Sequence, residues 1–77
     1  MKVIYKQSAN KSGVYVIYCT TSFGLYIGST ISFKRRKVDH LLDLRNNKHH
    51  CAHLQNAWNK YGEDAFVFQV IEVSSKE

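Results

Sequence analysis

Near the end of the chain, Phe66, Phe68 and Val70 alternate with Val67, Ile71 and Val73, so the segment from Phe66 to Val73 is apolar on both of its faces. A strand of that kind has to run through the middle of a sheet, with neighbours along its edges and cover on both sides. At 77 residues the chain has room for one domain, because cores of this size already bury only about 60% of the surface the unfolded chain exposes. The other strands and the covering helices must therefore come from the preceding residues.

They are legible there. Val14 to Cys19 and Leu25 to Ser29 are β-branched and aromatic, and Thr20-Thr21-Ser22-Phe23-Gly24 between them has turn composition, the pattern of a β-hairpin. Ser32 is placed to cap a helix from about Phe33 to Asn46, with Val38, Leu41 and Leu42 at helical spacing and Arg36 and His40 on a different face. Leu54, Ala57, Trp58 and Tyr61 follow at i, i+3, i+4 and i+7, and Gly62 stands where a left-handed cap would end a second helix. The order β-β-α-α-β predicts an α+β fold, a small three-stranded antiparallel sheet with helices packed on it. Residues 1–12 turn polar after Gln7 and are expected to be a loose N-terminal arm, leaving 13–77 as the domain. No third helix follows Val73 to cover the last strand's second face.

Hydrophobic residues make up 44% and charged residues 22%, a composition that folds rather than staying disordered. No apolar run approaches the roughly 20 residues that span a bilayer, and the N-terminus has no signal-peptide stretch. Cys19 and Cys51 are too few for a disulfide framework, so the expectation is an intracellular, cytoplasmic protein with free thiols. The net charge is +5. Nearly all of it lies between Lys34 and Lys48, where Lys34, Arg35, Arg36, Lys37, Arg45 and Lys48 face only Asp39 and Asp43. A patch so compact favours a polyanion, nucleic acid first and an acidic membrane second, unless it is simply a solvated helix face.

Within that patch, Arg36 offers a planar fork for phosphate oxygens and His40 can carry a proton near neutral pH, a pair suited to phosphodiester chemistry. Tyr15 and Tyr26 flank the hairpin. An even loop puts Tyr26 on the face of Tyr15 and Ile17, opposite Cys19, whereas an odd loop separates the two phenols. Gly13 and Gly28 allow close backbone approach beside these tyrosines. His49-His50-Cys51-Ala52-His53 invites a zinc site but lacks an evident second ligand segment, so nucleic-acid contact or plain surface is the better reading.

Gly13-Val14-Tyr15 and Tyr26-Ile27-Gly28 together resemble the paired signature of the GIY-YIG nucleases, with Val where the central Ile is usual. The resemblance continues through Ser29, Phe33, Arg36, His40 and His49, and through the run from Leu54 to Phe66, which is most similar to phage and intron-encoded homing endonucleases. It covers Gly13 to about Glu72. It implies a domain that cuts DNA in one step with a divalent metal, Mg²⁺ first. Tyr15 would be the general base, Tyr26 would position the nucleophile, Arg36 would hold the scissile phosphate, and His40 would accept the tyrosine's proton. Lys34, Arg35, Lys37, Arg45, Lys48, His49 and Asn59 would contact DNA. The family's metal ligand is a glutamate on a helix after the last strand. No such helix is expected before Glu77, and Glu72 and Glu77 are poor substitutes, so the metal ligand is expected beyond Glu77 and 13–77 reads either as an endonuclease domain or as a truncated catalytic domain lacking its C-terminal helix and inactive for want of that glutamate. Cys51 stands where Asn is common. Site recognition is expected from a separate domain or protein, and the alternative is an inert nucleic-acid-binding module on the same fold.

Overall fold

The computed structural model describes residues 1–4, 12–22 and 24–74. Its elements are β1 (Lys2–Ile4), β2 (Ser12–Cys19), β3 (Leu25–Thr30), α1 (Phe33–Arg45), α2 (Ala52–Tyr61), a 3₁₀ turn (Glu63–Ala65) and β4 (Phe66–Ser74). They form an α+β fold with both helices on one face of a mixed sheet whose strand order is β1-β4-β2-β3. The sheet therefore has four strands, not three, and is not wholly antiparallel: Lys2–Ile4 lies parallel to β4, pairing Lys2 with Val67 and Ile4 with Gln69. Three residues are too short a run to show a period, and it is the open edge of β4 that recruits them.

β4 is central, as its apolar alternation requires, but the alternation breaks. Tyr15 pairs with Val70 and Val14 with Glu72, which leaves Ile71 as the extra residue of a bulge. Past the bulge Val73 returns to the core face opposite Gly13, while Ile71 is exposed. The core lies between this face and the helices, built from Tyr15, Ile17, Phe33, Leu44, Leu54, Trp58, Phe66, Phe68 and Val70.

The inward face of α1 is not the one its apolar residues mark. Val38 and Leu42 are exposed, and the buried residues are Phe33, His40 and Leu44, with Arg36 half-buried on the same stripe. Periodicity counts only apolar residues, and here a histidine with all its partners occupies a core position. Ser32 caps α1 through its side chain, which accepts from the Arg35 N–H at 3.3 Å. Gly62 ends α2 at φ 88°, ψ 162°, a positive φ but not the left-handed helical cap expected. No helix among the described residues is long and apolar enough to cross a membrane.

Candidate active site

The hairpin register decides whether the phenols meet. β2 and β3 pair Ile17 with Tyr26 and Tyr15 with Gly28, so Tyr26 faces Ile17 rather than Cys19, on the same side of the sheet as Tyr15. Tyr15 lies flat across Gly28. A Cβ on Gly28 would come 2.5 Å from the Tyr15 oxygen, so the absence of a side chain there makes room for the phenol. Gly13 has the same function at the strand's start, where a Cβ would collide with the Glu72 carbonyl at the bulge.

Helix α1 brings its two polar inward residues to this spot. The Tyr15 hydroxyl lies 2.6 Å from His40 Nε2, and the Arg36 guanidinium lies 3.5 Å from the same nitrogen while also reaching Asp39 at 3.6 Å. His40 Nδ1 is 2.7 Å from His49 Nε2, and His49 Nδ1 accepts the Cys51 backbone N–H at 3.0 Å. Tyr26 sets its ring edge-on to His40, His49 and His50 and places its hydroxyl 3.0 Å from His50 Nε2. The four residues that the family resemblance implies for catalysis, Tyr15, Tyr26, Arg36 and His40, thus lie together.

Burial, the Arg36 charge and the flanking histidines together push His40 down to about 3, so it is neutral at physiological pH. Burial likewise lowers His49, helped by His50. The Tyr15 phenol is raised by burial, against the pull of Arg36. In the protein alone Tyr15 is therefore a phenol, and anything that uses it as a base must first remove its proton.

The residues expected to touch DNA are placed less uniformly. Lys34 and Arg35 are exposed on the first turns of α1, Lys37 is half-buried, and Lys48 is exposed before α2. Arg45 is engaged elsewhere, in a two-pronged pair with Glu63 at 2.6 and 3.0 Å. Asn59 accepts from Gln55 and donates to Asn47. His49 is buried rather than presented to a ligand. The zinc arrangement does not form: both His49 nitrogens are taken, and among the described residues no three His, Cys, Asp or Glu side chains converge on a metal position.

Two residues of this hydrogen-bonded cluster escaped the sequence. His50, noticed only as part of the zinc cluster, is the partner of Tyr26. Gln55, buried in α2, accepts the His49 N–H at 3.0 Å and donates to the Leu44 carbonyl and to Asn59, which fixes the histidine loop. Its position beside Leu54 on the inward side of the helix was the available signal.

A family model described as the GIY-YIG catalytic domain matches residues 11–77. The chain belongs to the GIY-YIG family. Among relatives of this GIY-YIG domain, "Intron-associated endonuclease 1" of Enterobacteria phage T4 is 36% identical over 62 residues, 80% of this chain and 25% of that protein. "Probable intron-encoded endonuclease 1" of Neurospora crassa is 38% identical over 68 residues, 88% of this chain and 21% of that protein. The solved catalytic domain of homing endonuclease I-TevI superposes with a TM-score of 0.79 at 33% identity, covering 87% of this chain and 72% of that one. The chain thus spans about a quarter of the length of the curated relatives it matches.

Proposed function

We propose that this GIY-YIG domain hydrolyses phosphodiester bonds in DNA, as the endonuclease names of its relatives suggest, with Tyr15, Tyr26, Arg36 and His40 as its catalytic group. The observation that carries this is the convergence of two phenols, a guanidinium and a neutral imidazole on one face, beside the exposed bases Lys34, Arg35 and Lys48. Arg36 has the charge and fork to hold two phosphate oxygens, exchanging its loose contact with Asp39 for them. Tyr15, once ionised, takes a proton from water as the water oxygen attacks phosphorus. An ester oxygen then leaves, protonated by solvent. Tyr26, held by His50, supplies a second hydroxyl to orient that water.

The divalent ion that the family implies has no donor set among the described residues. Dependence on Mg²⁺ is proposed from the family alone, and the steps above belong to the chain's own residues. Recognition of a particular site is proposed to come from a separate domain or protein, in keeping with the greater length of the relatives.

The test is nicking of supercoiled plasmid with Mg²⁺ or with EDTA, using this chain and a version extended at its C-terminus, each alongside Arg36→Ala. Cleavage by the extended form that Arg36→Ala abolishes supports the proposal. Salt-sensitive binding without scission in any metal would replace it with an inert DNA-binding module.

A further inference from the structure

We infer that the backbone N–H of Cys51 sets the proton arrangement of the whole Tyr15–His40–His49 line, and that His49 is a positioning residue holding His40 as a hydrogen-bond donor to Tyr15. This rests on the nuclease reading only for its consequence in catalysis; the arrangement itself follows from the hydrogen bonds.

A backbone amide has no tautomers. It can only donate, so the 3.0 Å contact from the Cys51 N–H requires a lone pair on His49 Nδ1. Neutral His49 then carries its one hydrogen on Nε2, which lies 2.7 Å from His40 Nδ1. Atoms that close cannot belong to rings stacked face on face, so the bond runs edge to edge, with the ring planes inclined by 22°. His40 Nδ1 must accept it, and the hydrogen of neutral His40 is thereby placed on Nε2, 2.6 Å from the Tyr15 oxygen. The Arg36 guanidinium also points at that nitrogen, but at 3.5 Å this is the longest and weakest contact in the set, and the two shorter bonds outweigh it. Burial keeps both rings in the single-proton state this chain of bonds needs. The Gln55 side-chain oxygen accepts the His49 backbone N–H at 3.0 Å, which fixes the loop backbone that carries the ring.

The role of His40 is then the reverse of the one the family resemblance implies. His40 does not receive the phenol's proton, because the nitrogen facing Tyr15 already bears one. Tyr15 accepts from His40, so its own hydrogen has to pass to an acceptor other than His40 before the phenol can act as a base. The phenolate so formed is met by the His40 Nε2–H and by the pull of the Arg36 charge. In the opposite tautomer a lone pair would face the phenolate.

The experiment is long-range ¹H–¹⁵N correlation on the ¹⁵N-labelled chain at neutral pH, which shows which nitrogen of each imidazole is protonated. The expected result is Nε2–H for both His40 and His49; Nδ1–H on His40 overturns the inference. Two variants test whether His49 transmits the arrangement. His49→Gln keeps a donor opposite His40 Nδ1 and should leave the His40 pattern unchanged. His49→Glu, which as a carboxylate can only accept, should move the His40 proton to Nδ1. An unchanged pattern in His49→Glu would remove His49 from the role, and the parent spectrum decides the tautomer even if that variant fails to fold. No substrate is present in these measurements. A chain with the expected tautomers that cleaves nothing refutes the proposed function alone, and one that cleaves with Nδ1–H on His40 refutes this inference alone.

Discussion

Gly28→Ala should be among the most damaging single-methyl additions in this domain, and the structure sets its size. The new Cβ would stand 2.5 Å from the Tyr15 oxygen and 2.6 Å from its Cζ, so ordinary van der Waals contact requires the ring to move by about 1 Å. The end of a side chain can often swing away, but this one cannot. Tyr15 is 1% exposed, its ring stacks on Phe68 with centroids 4.8 Å apart, and its oxygen is bound to His40. Overpacking of this kind costs about 1–3 kcal/mol, and stretching the Tyr15–His40 hydrogen bond adds about 1 kcal/mol. Near 3 kcal/mol in total, at roughly 4–8 °C per kcal/mol for a domain this small, Tm falls by about 12–24 °C. Thermal unfolding followed by circular dichroism measures it. Gly24→Ala is the control: its Cβ would meet only His53 Nε2 at 2.9 Å, on an exposed side chain free to move, and Tm should hardly change. A Gly28→Ala protein as stable as the Gly24→Ala one would refute the claim that Tyr15 is clamped against the β3 backbone.

The remaining expectations concern protons, struts and salt. His40 is held near 3 in the folded chain and returns to about 6.5 when unfolded, so the unfolded state binds the extra proton and stability falls with acidification. Urea unfolding between pH 6 and 4.5 should lose up to about 1.4 kcal/mol per pH unit from His40, with His49 adding in the same direction, and His40→Met should remove the first share. A pH-independent parent would contradict the burial of a neutral imidazole. Because burial raises the Tyr15 phenol, the cleavage rate of an active form should climb with pH without levelling off below about pH 10; a plateau near pH 7 would point to another base. Gln55→Leu leaves the buried His49 backbone N–H without its partner and the Leu44 carbonyl with only the Asn47 N–H, and should lower the unfolding free energy by about 2 kcal/mol, read from the urea midpoint. Removing the charge of Lys34 should weaken DNA binding for all sequences alike and flatten the log K against log salt slope by about 1, whereas Arg45→Gln should leave that slope unchanged because Arg45 is paired with Glu63.

Much of the architecture was open to a reader of the sequence. The hairpin, both helices and the central position of Phe66–Ser74 follow from local periodicity, turn composition and capping, which act over a few residues and leave their mark in order along the chain. Family membership was legible for a related reason, since paired tyrosine and glycine signatures survive at readable spacing. What failed were features set by distant partners. Lys2–Ile4 becomes a strand only because β4 offers an edge, and Val73 changes face only because a bulge at Ile71 intervenes.

The amino-acid sequence by itself determined which residues could do chemistry: two phenols, a guanidinium and a cluster of imidazoles in a basic chain. Only the tertiary structure decided that His40 lies inside rather than outside, that Tyr15 and Tyr26 share a face, and that Arg45 is already engaged by Glu63. The physical reason is that a polar side chain can be buried wherever its hydrogen bonds are met, and the groups that meet them here come from β2, α1 and the loop before α2. Only folding brings those three segments together.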